Sequence, residues 1–104
     1  MTKITIITGQ NYLDDEIVET KRAAKDYTVY VSPIFEIDGT AYRAILDGNH
    51  SLAAAMADGA EPEYTERTAQ DDDRVGLIHD IELFLESAHM DGDYINAITR
   101  SPAF

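Results

Sequence analysis

The stretch Ile45-Leu46-Asp47-Gly48-Asn49-His50-Ser51-Leu52-Ala53-Ala54-Ala55-Met56 constrains this chain more than any other. An apolar run reads as a strand, a Gly turn follows, and an Ala-rich helix begins within about two residues. Such a junction aims the backbone N–H groups of the helix's first turn at whatever lies beyond the strand end. The polar side chains of Asn49, His50 and Ser51 surround those donors, so residues 48–51 form a candidate anion site.

The flanking segments supply a sheet and further helices. Lys3-Ile4-Thr5-Ile6-Ile7-Thr8 alternates and is β-branched, which predicts a strand. A helix is expected over 14–25, with Asp14, Asp15 and Glu16 at its start and Lys21, Arg22 and Lys25 at its end, both complementing the helix dipole. Its apolar face, Leu13, Ile17 and Ala24, is narrow, so it should lie on the surface. Strands are expected over 27–32, ended or bent at Pro33, and over 34–37 and 41–46. Asp38-Gly39 between the last two is a strong two-residue hairpin signal. The helix over 49–58 closes at Gly59. Residues 61–68 suggest a short strand. After Asp71-Asp72-Asp73 an amphipathic helix should turn Leu77, Ile78, Ile81, Phe84, Leu85 and Ala88 to the core. A last short helix is expected over 94–99, stopped by Pro102. The sum is a mixed α/β (α+β) domain: a small mixed sheet of about four or five strands with packed helices.

Size and charge bound the function. At 104 residues the chain is expected to form one domain. No apolar run approaches the ~20 residues of a membrane span, and the N-terminus shows no secretory signal core. With no cysteine there is no disulfide framework, thiolate metal site or thiol nucleophile, and a cytoplasmic location is expected. The net charge of −12 argues against direct nucleic-acid binding, which needs clustered Lys and Arg. Such a surface either serves solubility or imitates a polyanion and binds a basic protein partner.

A family resemblance sharpens the central motif. Val31-Ser32-Pro33-Ile34, Ile37-Asp38-Gly39-Thr40-Ala41-Tyr42, Ile45-Leu46-Asp47-Gly48-Asn49-His50-Ser51-Leu52-Ala53-Ala54-Ala55 and Gly59-Ala60-Glu61-Pro62 together resemble the ParB/sulfiredoxin-like superfamily. In its small ParB-like members a hairpin feeds a DG-x-H-R-x-A-A segment. The similarity covers residues 31–66. It implies that the Gly-led turn holds nucleotide phosphate: sulfiredoxins bind ATP there, partition ParB proteins bind CTP, and some relatives are described as nucleases. Gly48 and His50 match the motif. Asn49 stands where sulfiredoxins keep a reactive cysteine, which excludes sulfinic-acid reduction. Ser51 replaces an arginine that grips phosphate, so one neutral hydrogen bond stands in for a charged fork. The later Asn-Arg nucleotide motif and the helix-turn-helix DNA reader of partition ParB proteins have no match.

These residues admit a concrete chemistry. Gly48, Asn49, His50 and Ser51 would bind a phosphate or nucleotide, His50 would act as general acid, and Asp47 would orient His50 or reach Mg²⁺ through water. The plainer alternative is a helix N-cap by Asn49 or Asp47 with His50 and Ser51 as first-turn residues. No convincing metal set emerges: Asp71-Asp72-Asp73 suits a helix start, His79, Glu82 and Glu86 suit a solvated face, and His89 stands alone. Tyr27, Tyr30, Phe35, Tyr42 and Tyr64 are read as sheet residues rather than base-stacking platforms. Three functions follow in order of preference. The first is phosphate or nucleotide recognition at 48–51, with phosphoryl hydrolysis aided by a divalent ion. The second is a non-catalytic acidic interaction or inhibitor protein, such as a mobile-element regulator or DNA mimic. The third is a nuclease.

Overall fold

A computed structural model describes residues 3–88 and 93–104. The described residues form strands β1 (Ile4–Thr8), β2 (Thr28–Val31), β3 (Phe35–Ile37), β4 (Thr40–Asp47), β5 (Glu63–Glu66) and β6 (Ile95–Asn96), with helices α1 (Asp15–Ala24), α2 (Asn49–Asp58) and α3 (Ile81–Ala88). The six strands make one mixed sheet in the order β5-β2-β4-β1-β6, with β3 also paired to β4. This is the expected α+β class, with more strands than the sequence suggests.

β4 is the seam of the sheet. β1 lies parallel to it, Ile4 opposite Ala41 through Ile7 opposite Ala44. Along its other side run β3 and then β2, both antiparallel. Asp38 and Gly39 link β3 to β4 with positive φ (50° and 82°), as the tight hairpin turn requires. Between β2 and β3, Pro33 interrupts the strand. Buried Ser32 repairs the gap: its N–H donates to the Ala44 carbonyl (2.9 Å) while its Oγ accepts from the Ala44 N–H (3.0 Å).

Alternation along β4 divides the core between the two sheet faces. Ala44 and Leu46 join Ile7, Phe35, Val75 and Phe84 on the face covered by α3, whereas Ile45 joins Val29, Val31, Leu52 and Ala97 on the face covered by α2. Phe84 is fully buried and meets Phe35 edge-on at 5.5 Å between ring centroids. α1 buries no residue and packs on α2. Asp14 caps it, accepting from the Glu16 and Ile17 amides at 2.9 and 3.3 Å.

Two expectations are corrected. The helix after Asp73 is not continuous: a 3₁₀ turn (Asp73–Leu77) is followed by a fresh start at Ile81. Two caps explain the break, since Asp72 accepts from the Arg74 amide and Asp80 from the Leu83 amide. Leu77, Ile78, Ile81 and Leu85 still pack on the core as expected. Residues 94–99 are not a helix either. Ile95 and Asn96 pair with Thr8 and Ile7 as β6, and the Asn96 carboxamide accepts from the Ile98 and Thr99 amides to form a turn.

Candidate functional site

The turn at 47–51 lies where expected, between the end of β4 and the start of α2. Gly48 has φ 98°, a left-handed conformation that other residues adopt only with strain. A Cβ there would also lie 2.6 Å from the Thr28 carbonyl oxygen. Gly48 is thus required by close packing of the turn on β2.

The side chains around the turn point mostly into the protein. Asn49 is 5% exposed; its carboxamide oxygen accepts from Thr8 Oγ1 at 2.7 Å and its nitrogen donates to Gln10 Oε1 at 3.4 Å. It ties the end of β1 to the head of α2. Ser51 is 2% exposed. The half-buried His50 accepts at Nε2 from the Asp14 amide (3.1 Å), docking the start of α1 on α2. Nε2 is thereby engaged by the protein's own backbone.

Asp47 is the exposed member of the set, and its carboxylate occupies the corner. Oδ1 accepts from the Gly48 amide at 2.8 Å, and Oδ2 lies 3.8 Å from an Arg67 guanidinium nitrogen. The protein's own anion therefore rests between an amide and a cation. Neither Asn49 nor Asp47 caps the first turn of α2 in the way the N-cap alternative proposed: the cap residue is Gly48, which has no side chain to offer.

Two arginines that carried no sequence signal complete the surroundings. Arg67 stacks on Tyr30, 4.1 Å from the ring centroid, and lies 3.7 Å from Asp72. Arg74 binds both Asp72 oxygens and donates to the Leu46 carbonyl at 2.9 Å, pinning the 3₁₀ turn to the end of β4. The Arg74 guanidinium holds the Asp72 carboxyl below the usual carboxylate range. Single arginines, one in a weakly alternating stretch and one at a helical start, give the sequence reader nothing to align with a site.

The Asp71-Asp72-Asp73 run is dispersed. Asp71 accepts from the Thr68 amide and hydroxyl, Asp72 serves Arg74, and Asp73 faces solvent. Among the described residues no three His, Cys, Asp or Glu side chains converge in a way that could hold a metal. His79, Glu82 and Glu86 are exposed, and His89 lies outside the described residues.

The cavity beside the turn is small. It has a volume of about 220 Å³ and is lined by Leu13, Asn49, Leu52, Ala53, Met56 and Arg100 among others. Pockets for small molecules commonly run from ~300 to 1,000 Å³. A wider one of about 600 Å³ lies at the C-terminal ends of α1 and α2, around Arg22, Tyr27 and Asp58. There Tyr27 donates to Asp58 at 2.7 Å. The Tyr27 hydroxyl and Arg22 together hold the Asp58 carboxyl below its ordinary range.

No helix among the described residues is long and apolar enough to cross a membrane. Comparison with protein-family models, with curated proteins and with solved structures finds no match to this chain.

Proposed function

We propose that the chain is a non-catalytic acidic binding module whose partner is a basic protein. One observation carries this reading: six of the eight Lys and Arg side chains are engaged within the protein, only Lys3 and Lys25 standing exposed outside these contacts, while the surplus acids face solvent. Lys21 pairs with Asp26, Arg22 with Glu19 and Asp58, Arg43 with Glu66, Arg67 with Asp47 and Asp72, and Arg74 with Asp72. Arg100 donates to the Gln10 and Asn11 carbonyls. Glu36, Asp38, Glu61, Glu63, Asp80, Glu82 and Glu86 are exposed and outside these pairs. A net charge of −12 on such a surface steers cationic partners inward and repels free phosphates. The test is calorimetric titration with octalysine and with octaglutamate over a range of salt. Saturable octalysine binding that weakens steeply with salt, and none of octaglutamate, is expected. Absence of octalysine binding at low salt overturns the reading.

Phosphate or nucleotide recognition at 48–51, in a ParB/sulfiredoxin-like domain, is the second reading. It is favoured by the exposed Asp47 carboxylate, which lies on the Gly48 amide beside Arg67 as an external anion would. The hairpin leading through β4 into the Gly48 turn and α2 supports the same resemblance. On this reading Asp47→Asn unmasks the corner. Inorganic phosphate, ATP and CTP, each with and without Mg²⁺, should bind the variant more tightly than the wild type. Failure of both proteins to bind any of them eliminates it.

A further inference from the structure

β5 is the outermost strand on its side of the sheet, pairing only with β2 among the described strands. Its residues Glu63, Tyr64, Thr65 and Glu66 are all exposed. The ladder shows which backbone groups are spent. Glu63 donates to the Tyr27 carbonyl and Arg67 to the Val31 carbonyl, both at 2.9 Å. In a parallel ladder alternate residues face the neighbouring strand, so the N–H and C=O groups of Tyr64 and Glu66 point away from the sheet. Pro62, the preceding outward position, has no N–H, and the donor row therefore begins at Tyr64.

Charge selects what such an edge accepts. Glu61 and Glu63 are exposed carboxylates at this edge. The same side chains complement an extended cationic strand. Glu63 opens β5 and Glu61 precedes it by two positions, both exposed and outside any ion pair among the described residues, at the spacing of alternate residues in an added strand. Tyr64, 41% exposed, offers an apolar contact on the other face of the strand.

We infer that β5 is a docking edge for an extended Lys-rich segment of a partner protein, which adds to the sheet as a further strand. This rests on the acidic-module reading and gives it a location. Backbone pairing supplies the register and the carboxylates supply the preference for lysine at alternate positions.

The probe is the peptide acetyl-Lys-Val-Lys-Thr-Lys-Val-amide, with a control N-methylated at alternate residues to keep the charge and block the ladder. Amide shifts of the ¹⁵N-labelled protein should move at 61–67 and 28–31. N-methylation should weaken binding about tenfold, as loss of one or two backbone hydrogen bonds would. Tyr64→Pro should do the same and Tyr64→Ala, which keeps the N–H, should weaken it less. If Tyr64→Pro does not fold, the N-methylated peptide on the wild type decides. Equal binding of the two peptides, or shifts concentrated at Glu36, Asp38 and Glu82, overturns the docking edge and leaves the acidic module standing. No binding of either peptide overturns both.

Discussion

Replacing Gly48 by alanine separates the structural demand at the turn from any ligand chemistry. Two costs apply. The left-handed backbone at φ 98° costs an L-residue about 1–2 kcal/mol. The new methyl would lie 2.6 Å from Thr28 O and 3.0 Å from Val29 Cα, both backbone atoms of a strand paired on either side. Forcing such an overlap apart costs about 1–3 kcal/mol. Together the loss is about 2–5 kcal/mol, a large share of the ~5–15 kcal/mol that holds a domain folded. Gly59→Ala is the internal control: φ is 63° there but the added methyl meets open space, so only the backbone cost applies. Urea titrations followed by circular dichroism give both values, and Gly48→Ala should melt at least about 10 °C below the wild type. If the two variants agree within about 0.5 kcal/mol, the close approach to β2 does not constrain the turn and the argument fails.

Asn49→Ala removes the buried acceptor of the Thr8 hydroxyl, and a stability loss of about 1–3 kcal/mol is expected by the same titration. Phe84→Ala should cost about 3–5 kcal/mol, because the ring is fully buried against Phe35. The carboxyls of Asp26, Asp58, Asp71 and Asp72 are held below their ordinary values by hydrogen bonds and cations. Their folded pKa values thus lie under the unfolded ones, so their stabilisation is complete above about pH 4 and is lost as pH falls through the folded values. Arg74→Met should shrink that acid-side loss and lower stability at neutral pH by about 1–3 kcal/mol by leaving Asp72 without its main partner. An unchanged acid limb in chemical denaturation at stepped pH would contradict the assignment to Asp72.

The parts legible in the sequence are those set by local chemistry. The acidic start and basic end of α1, the Asp38-Gly39 hairpin and the Gly59 helix stop all act within a few residues of themselves. β6 was hidden because its strand character comes from pairing with Thr8 and Ile7, far away in the chain. The site shows the same division. The position of the turn at 48–51 was readable, but the direction of its side chains was not. Asn49 turns inward to a hydroxyl 41 positions earlier, and His50 is held by an amide 36 positions earlier. Neither partner leaves a mark on the local pattern.

The seam position of β4 has a consequence for how this chain tolerates length changes. Its successive residues are assigned to opposite faces, Ala44 and Leu46 to one core and Ile45 to the other. A one-residue deletion inside 41–46 would exchange those assignments and leave both hydrophobic layers mismatched at once. The hairpin tip at Asp38 and Gly39 is exposed and bears no such double duty. Evolutionary or engineered indels should therefore accumulate at the tip and be purged from the strand only a few residues away.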